Sequence, residues 1–244
     1  WSEPMTDSLF FTAPGGREHN EDAVGQREIP GGTLFLLADG LGGHHRGAEA
    51  SAQVIASMQE AAPPQDGEDL EQWLICAITQ ANDVLLQLQA DSGSNMRSTL
   101  VALALTEDKA VWGHVGDSRL YCIREGRLLS YTNDHSVAYA KYKCGEITRA
   151  QIGRDEDQAS LLRSLGNPTR SHPDLEALDS PPQSGDGFLL CSDGLWEYLY
   201  DGEILADFCK SACAEDWARF LLLRVMGRIQ PGNDNLSLIT IMLS

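Results

Sequence analysis

The sequence predicts an α+β fold in which two antiparallel β-sheets stack face to face and helices cover their outer faces. Short apolar segments follow one another through tight turns between residues 98 and 124, which is typical of an antiparallel meander. Amphipathic helical segments come in pairs and do not alternate regularly with strands, which disfavours a doubly wound parallel sheet. The expected order of layers is therefore helix, sheet, sheet, helix, the α/β/β/α sandwich.

The first half of the chain supplies both helices of one outer layer and most strands of the meander. Apolar runs predict the strands, helical spacing of apolar residues predicts the helices, and glycine or proline separates them. In chain order we predict a strand over 9–12, a strand over 34–38, helices over 47–61 and 69–90, and strands over 98–105, 110–115 and 119–124.

The second half begins with a long polar stretch and ends in a regular strand. Residues 136–164 have little core character, apart from helical spacing near 147–152, and long segments of this kind inside a domain are usually functional or mobile. We therefore predict a flap at about 136–164 within a single domain spanning 1–244. After it we predict a strand over 185–191, a short helix or turn over 195–200, two helical segments within 203–228, and a strand over 236–243.

Composition excludes several classes of function. The chain has 36 acidic and 18 basic residues, a net charge of −18, which argues against affinity for nucleic acid or anionic membranes. Its six cysteines form no C-x-x-C pair, so zinc and redox motifs find no support. It contains neither a signal-peptide pattern nor an apolar run long enough to span a bilayer. We expect a cytoplasmic, monomeric protein with reduced thiols.

Acidic residues recur where predicted strands end. A single Asp-Gly pair after a strand is most simply a tight turn, but here an Asp lies beside a Gly at three predicted strand ends, and further acidic residues lie near both ends of the chain. Carboxylates gathered in one place repel each other unless a cation offsets their charge. Oxygen ligands favour Mg²⁺ or Mn²⁺. The sequence therefore predicts a hard-metal site, and its candidate carboxylates are Glu21, Asp22, Asp39, Asp117, Asp193 and Asp234.

Arg17 is an isolated cation close to carboxylates in the segment Arg17-Glu18-His19-Asn20-Glu21-Asp22. It could form a local salt bridge, which contributes little at a surface. Its planar guanidinium could instead bind phosphate oxygens through two parallel hydrogen bonds. The residues alone leave these two roles open.

Eight motifs in order along the chain give a specific resemblance. They are Arg17-x-x-x-Glu21-Asp22, Asp39-Gly40-Leu41-Gly42-Gly43-His44, Ser98-Thr99, Gly116-Asp117-Ser118-Arg119, Asp134-His135-Ser136, Ser164-Leu165-Gly166, Ser192-Asp193-Gly194-Leu195-Trp196 and Asp234-Asn235. Each motif is weak by itself, but their joint occurrence covers nearly the whole chain. The chain resembles bacterial metal-dependent serine/threonine protein phosphatases of the PP2C type, the PPM family.

The resemblance implies a binuclear Mg²⁺ or Mn²⁺ site in a cleft at one end of the β-sandwich. It implies that Asp39 bridges the two metals and that Gly40 ligates one of them through its carbonyl. Asp193 and Asp234 would ligate the other, and Glu21 and Asp22 would hold metal-bound waters. A third metal is often seen in bacterial members, and Asp117 with Asp193 would be its ligands.

The reaction that the resemblance implies is hydrolysis of phosphoserine and phosphothreonine in proteins. A hydroxide bridging two such metals would attack phosphorus directly while Arg17 anchors the phosphoryl oxygens. This direct attack needs no covalent phosphoenzyme of the kind that tyrosine phosphatases form on a cysteine. The expected substrates are phosphorylated proteins of a cognate serine/threonine kinase.

One position departs from the family pattern. Eukaryotic relatives resemble Asp-Gly-His-Gly-Gly, where the histidine is read as the general acid, whereas this chain has Leu41 at that position. His44 is the nearest candidate acid, and a metal-bound water is the alternative that we favour. A catalytically inactive phosphoprotein-binding relative, a calcium-stabilised module and a sigma-regulator-type phosphatase with one dedicated substrate are rival interpretations, each less well supported by the motifs.

Overall fold

A computed structural model describes residues 5–42, 46–65 and 68–244 of the chain. Two antiparallel sheets dominate the described part, one of five strands and one of six. The strands are β1 (Thr6–Ala13), β2 (Asp22–Ile29), β3 (Gly32–Leu41), β4 (Arg97–Ser98), β5 (Leu100–Thr106), β6 (Ala110–Val115), β7 (Arg119–Arg124), β8 (Arg127–Tyr131), β9 (Asp174–Ala177), β10 (Gly187–Cys191) and β11 (Leu236–Leu243).

Six α-helices accompany the strands in the described residues. They are α1 (Arg46–Glu60), α2 (Leu70–Ser92), α3 (Val137–Lys143), α4 (Asp193–Trp196), α5 (Asp201–Lys210) and α6 (Ala214–Met226), and a 3-10 helix spans Arg149–Arg154. The five-stranded sheet has the order β1-β11-β10-β7-β8, and the other has the order β2-β3-β5-β6-β9 with β4 beside β3.

The core consists of three hydrophobic layers. Successive side chains of β3 contribute to two of them. Leu34 and Leu36 pack with α1 and α2, whereas Phe35 and Leu37 pack against the other sheet. This is the two-residue period of a strand buried on both faces. A third cluster around Trp217 packs α5 and α6 on the five-stranded sheet. The three layers separate four layers of secondary structure and confirm the predicted α/β/β/α sandwich.

The predicted helices and central strands are confirmed with small shifts of their ends. The predicted helix at 69–90 is α2, whose N-cap is Asp69 and whose last turn ends at Gly93 with φ +62°. An aspartate accepts a backbone N–H at a helix start, and glycine adopts the left-handed conformation at its end without steric cost. The closing strand predicted over 236–243 is β11.

Four elements were not predicted from the sequence, namely β2, β8, β9 and α3. The strands β2 and β9 lie at the two ends of the six-stranded sheet and β8 at an end of the other, so their side chains are only partly buried. An edge strand of this kind lacks the apolar run that reveals a central strand. The seven-residue helix α3 is too short for a clear helical period.

No helix in the described residues is both long enough and apolar enough to cross a membrane. The longest, α2, has 23 residues, but it carries charged side chains and packs one face on the sheet.

A buried ion pair fastens the start of β7 to the loop that follows β8. The Nε and Nη2 atoms of Arg119 donate to the two carboxylate oxygens of Asp134 at 2.7 and 2.6 Å. Both residues are at most 5% exposed. The third nitrogen of Arg119 donates to the hydroxyl of Tyr121 at 3.0 Å, and its guanidinium stacks on the ring of Trp196.

We expect Arg119→Met to lower the free energy of unfolding by about 3–5 kcal/mol, because it leaves the charge of Asp134 buried without its partner. Urea denaturation measures this change. The matched control is Lys109→Met, which removes an exposed ion pair with Asp69 and should change the same quantity by less than about 1 kcal/mol. Equal effects of the two substitutions would contradict a structural role for the buried pair.

Candidate metal centre

Asp39 lies where β3 ends, and its register places it against a second carboxylate. It continues the series of Phe35 and Leu37 that faces the space between the sheets. Asp22 is its direct partner across the antiparallel ladder of β2 and β3. Like charges directly opposite each other in a sheet are destabilising. This pair therefore requires protonation or a cation.

The other predicted residues meet Asp39 from different elements. Asp117 follows β6, Asp193 begins α4 after β10, and Asp234 precedes β11. One cavity of about 450 Å³ is lined by seven of the predicted site residues, namely Arg17, Glu21, Asp39, Gly40, Asp117, Asp193 and Asp234. The structure thus brings together residues that are up to 217 positions apart in the sequence.

Asp22 lies behind this cavity and is held by a serine. Ser192 Oγ donates to Asp22 Oδ2 at 2.8 Å, and Asp22 is 8% exposed. Its other oxygen, Oδ1, is buried and accepts no hydrogen bond, and Oδ1 of Asp193 is in the same condition. Buried acceptors normally have partners, so unpartnered ones indicate a missing ligand.

The carboxylates have raised pKa values. Burial, which is the largest cause, and the charge of Asp193 raise the pKa of Asp39 well above its ordinary value. Burial also raises the pKa of Asp22 to about 7 and, together with the charge of Asp234, that of Asp193 to about 6. The pKa of Asp117 is raised for the same two reasons, burial and the charge of Asp193. Each of these groups would ionise more readily beside a cation.

The backbone of Asp39 is fixed by neighbouring hydroxyls. Its N–H donates to Thr99 Oγ1 at 2.9 Å, and its carbonyl accepts from Ser98 Oγ at 3.1 Å and from the Thr99 N–H at 2.8 Å. The next residue must be glycine, because a Cβ at position 40 would lie 1.9 Å from the carbonyl oxygen of Gly47. Close packing of α1 on the strand end thus positions Asp39 and Gly40.

Asn235 joins the N-terminal loop to the site. Its Oδ1 accepts from the Glu21 N–H at 2.8 Å, and its Nδ2 donates to the carbonyls of Pro14 and His19 at 2.9 and 2.8 Å. The motif Asp234-Asn235 pointed to this position, but its role as a buried amide that holds three backbone groups is visible only in the structure.

Asp117 is held on both sides through the backbone. Gly116, with φ +107°, donates its N–H to His135 Nδ1 at 3.1 Å and accepts the His135 N–H at 2.9 Å. The indole N–H of Trp196 donates to the Asp117 carbonyl at 2.9 Å. His135 and Trp196 had no predicted role beyond their motifs, because these contacts join residues far apart in the chain.

Arg17 does not stand free in the cavity. Its Nη2 donates to Asp234 Oδ2 at 2.9 Å, and the two side chains are 55% and 42% exposed. The structure therefore shows the salt bridge that the sequence left open, but with Asp234, a partner from the other end of the chain. An exposed pair of this kind contributes little stability, so Arg17 can rearrange around an anion at small cost.

The segment predicted as a flap borders the cavity. An antiparallel bridge between Ser136 and Leu161 closes its base. Ala159 and Leu161 line the cavity, and Gln158 Nε2 lies 3.4 Å from Asp193 Oδ2. The segment is more ordered than the sequence indicated, since it contains α3 and the 3-10 helix.

The donor set fits a hard metal. It consists of carboxylate oxygens and a glycine carbonyl, and two of its carboxylates have an unpartnered buried oxygen. Within residues 5–42, 46–65 and 68–244, no three His, Cys, Asp or Glu side chains already converge as ligands of one ion. The carboxylates therefore surround a common space without meeting at one point. His44, the candidate acid, lies outside the described residues.

Comparisons with known proteins show the family to which the chain belongs. The family model described as protein phosphatase 2C matches residues 16–215. The serine/threonine phosphatase stp of Listeria welshimeri is 32% identical over 202 residues, 80% of this chain and 79% of that protein. The chain therefore belongs to the protein phosphatase 2C family, and its resemblance to bacterial members is confirmed.

Solved structures show the same likeness. Serine/threonine phosphatase Stp1 from Staphylococcus aureus superposes with a TM-score of 0.86 at 29% identity, covering 98% of this chain and 96% of that one. The catalytic domain of the serine/threonine protein phosphatase PstP, solved in complex with two manganese ions, gives a TM-score of 0.79 at 29% identity and covers 98% of each chain.

The raised pKa values predict how the metal-free protein responds to pH. The native state retains protons on Asp22 and Asp193 that the unfolded chain, with carboxyl pKa values near 3.8, has released. Their contribution to stability is complete below that value and is lost as pH rises through about 6 to 7. In EDTA the free energy of unfolding should therefore fall over this range, and Mn²⁺ should reduce the fall.

Denaturant titrations at several pH values, with EDTA and with Mn²⁺, measure this dependence. Asp22→Asn should flatten it in EDTA, whereas the control Asp108→Asn, at an exposed turn, should not. Stability that rises with pH in EDTA over the same range would contradict the predicted protonation of the site.

Proposed function

We propose that this chain is a metal-dependent protein phosphatase that hydrolyses phosphoserine and phosphothreonine in proteins phosphorylated by a serine/threonine kinase. The observation that supports this proposal most directly is a set of six carboxylates, from five separate elements or loops, that line one cavity beside Arg17. Membership of the protein phosphatase 2C family and the names of its bacterial relatives support the reaction.

The residues that would hold two Mg²⁺ or Mn²⁺ ions are those that surround the cavity. Asp39 would contact both ions, the Gly40 carbonyl one of them, and Asp193 and Asp234 the other. Glu21 and Asp22 would act through water, and Asp117 with Asp193 would hold a third ion. When bound, such a metal pair lowers the pKa of water and offsets the negative charge of a phosphoryl group.

Arg17 would bind the phosphoryl oxygens of the substrate. Among the described residues that line the cavity it is the one arginine, and no lysine accompanies it. A phosphate dianion entering a cavity with six carboxylates meets strong repulsion unless cations are present. Arg17 can release Asp234 and turn its planar fork to the phosphate, since the present pair is exposed.

The proton for the leaving alkoxide would come from water in the site, with His44 as the alternative donor. Leu41 lines the cavity and carries no proton to donate. Phosphoserine and phosphothreonine release a basic alkoxide, which must be protonated as the bond to phosphorus breaks.

The flap at 136–164 would form one wall of the site and select the protein substrate, within one phosphatase domain spanning residues 1–244. Its contribution of Ala159 and Leu161 to the cavity supports this role. We place the enzyme in the cytoplasm as a monomer. All six cysteines lie in the described part of the chain and are free, which fits a reducing compartment.

Asp39→Asn should abolish hydrolysis of a phosphothreonine peptide, because it removes the charge shared by both proposed ions. Activity should be measured with Mn²⁺, and binding of Mn²⁺ by calorimetry should weaken in parallel. Asp108→Asn, an exposed carboxylate outside the cavity, serves as the control. Full activity in EDTA, or full activity of the Asp39 variant, would overturn the proposed mechanism.

Arg17→Ala should raise KM for a phosphothreonine peptide by roughly tenfold, because one charge-assisted contact to phosphate is lost. Its effect on kcat should be smaller than its effect on KM. Steady-state kinetics at saturating Mn²⁺ measures both constants. An unchanged KM would show that Arg17 serves only as the partner of Asp234.

A further inference from the structure

A second cavity, of about 790 Å³, lies next to the metal centre and has no part in the proposed chemistry. It is formed between the 3-10 helix of the flap and the segment that connects α4 to α5. Besides Arg119, its lining includes three arginines and three aromatic residues, namely Arg149, Arg154, Arg228, Trp196, Tyr198 and Tyr200.

Arg149 is fixed in this wall with one nitrogen unused. Its Nε and Nη2 donate to the two oxygens of Asp201 at 2.6 and 3.0 Å, and its guanidinium lies 3.6 Å from the ring centre of Tyr131. Its Nη1 is buried and has no hydrogen-bond partner. A buried donor without an acceptor is destabilising, and a ligand oxygen would remove that penalty.

The metal centre also has buried polar atoms without hydrogen-bond partners, but there the atoms are acceptors and not donors. Four buried side-chain polar atoms of the described residues lack a partner, and two of them are the carboxylate oxygens of Asp22 and Asp193. Unpartnered acceptors at that site indicate a cation. The unpartnered donor of Arg149 indicates an acceptor, and a charged acceptor gives the stronger bond to a guanidinium.

Arg154 extends the basic wall toward solvent. It is exposed, and its one hydrogen bond in the described structure is a 3.5 Å contact from Nη2 to the hydroxyl of Tyr200. No carboxylate of the described residues pairs with it. Arg228, by contrast, is held by two hydrogen bonds to Glu203 at 2.7 and 2.6 Å. Arg154 is therefore the cavity arginine that is available for an incoming anion.

The charge balance of the cavity differs from that of the whole protein. Four arginines line it, with Arg119 at its base, against two acidic residues, Glu197 and Asp201. The chain as a whole has a net charge of −18. The carboxylates paired with the inner arginines hold them in position and offset part of their charge. The exposed arginine and the unused donor make this wall attractive to an anion in an otherwise acidic molecule.

The helix α4 connects the two cavities. Asp193 lines the metal centre, whereas Trp196 and Glu197 line the second cavity. Helix rise places residues 193 and 196 about 4.5 Å apart along the axis. An extended peptide advances about 3.3 Å per residue. A substrate segment whose phosphoresidue occupies the metal centre can therefore reach the second cavity with a side chain two to four residues away.

We propose that the second cavity is a subsite for an anionic side chain of the substrate polypeptide, located two to four residues from the phosphoresidue that is hydrolysed. This proposal rests on the proposed phosphatase function. Arg154 and Arg149 bind a carboxylate or phosphate, and the aromatic residues pack against the intervening peptide. The shared chemistry is an oxyanion, supplied by an acidic residue or by a second phosphorylated residue.

The experiment compares three sets of phosphothreonine peptides that differ only at positions two to four residues before and after the phosphothreonine. One set carries glutamine there, the second glutamate and the third a non-hydrolysable phosphonate analogue of phosphoserine, because phosphoserine would itself be a substrate. Steady-state kinetics with Mn²⁺ is measured for the wild-type enzyme, Arg154→Gln and the control Arg127→Gln, which removes the same charge at an exposed site outside the cavity. Hydrolysis of a small aryl phosphate provides a reference for the metal centre.

The expected result is a KM for at least one anionic peptide that is roughly tenfold lower than for its glutamine counterpart. Arg154→Gln should remove this difference in KM, whereas Arg127→Gln should retain it. Neither substitution should change the rate of hydrolysis of the aryl phosphate. An effect for the phosphonate peptides alone would identify a phosphate group as the occupant, and an equal effect of glutamate would show that a carboxylate suffices.

Equal KM values for all three sets, or equal responses of the two arginine variants, would overturn the subsite. Failure of the wild-type enzyme to hydrolyse any of these peptides would instead overturn the proposed function. The two failures are therefore distinguishable in one data set.

Discussion

Mutual repulsion of buried carboxylates is the constraint on which the site depends. Asp22 and Asp39 are placed opposite each other by the register of two strands, and Asp193 adds a third charge beside them. In a metal-free protein this arrangement is tolerated only because burial and repulsion raise the pKa values and keep protons bound. A sequence that maintains such an arrangement sacrifices stability for the ability to bind cations.

The sandwich makes this arrangement possible by holding the strand ends rigidly. Phe35 and Leu37 anchor β3 in the layer between the sheets, so Asp39 cannot turn away from its neighbours. Hydroxyls of Ser98 and Thr99 fix its peptide groups, and the packing of Gly47 on Gly40 allows no side chain there. These contacts replace the flexibility of a loop by the rigidity of a packed core, which favours a preorganised site.

The metal centre and the neighbouring cavity both contain buried polar atoms without hydrogen-bond partners. Acceptors without donors lie at Asp22 and Asp193, and a donor without an acceptor lies at Arg149. Trp196 stands between the two sites, because its indole N–H holds the Asp117 carbonyl while its ring lines the second cavity. Trp196 therefore contacts the backbone of the metal centre and also lines the second cavity.

The sequence by itself determined the layers, the central strands and the identity of the acidic residues. Apolar runs such as residues 34–38, which Asp39 follows, predict central strands locally, because burial on both faces of a strand requires continuous hydrophobicity. Edge strands such as β2 and the short helix α3 escaped prediction, since partial burial leaves no such run.

Only the tertiary structure decided which residues meet. It paired Asp22 with Asp39, joined Arg17 to Asp234, gave Asn235 three backbone partners and placed Arg149 beside Asp201. A sequence pattern specifies the period and burial of each element separately. Contacts between elements depend on register and on the way the layers pack, and these arise only when the whole chain folds.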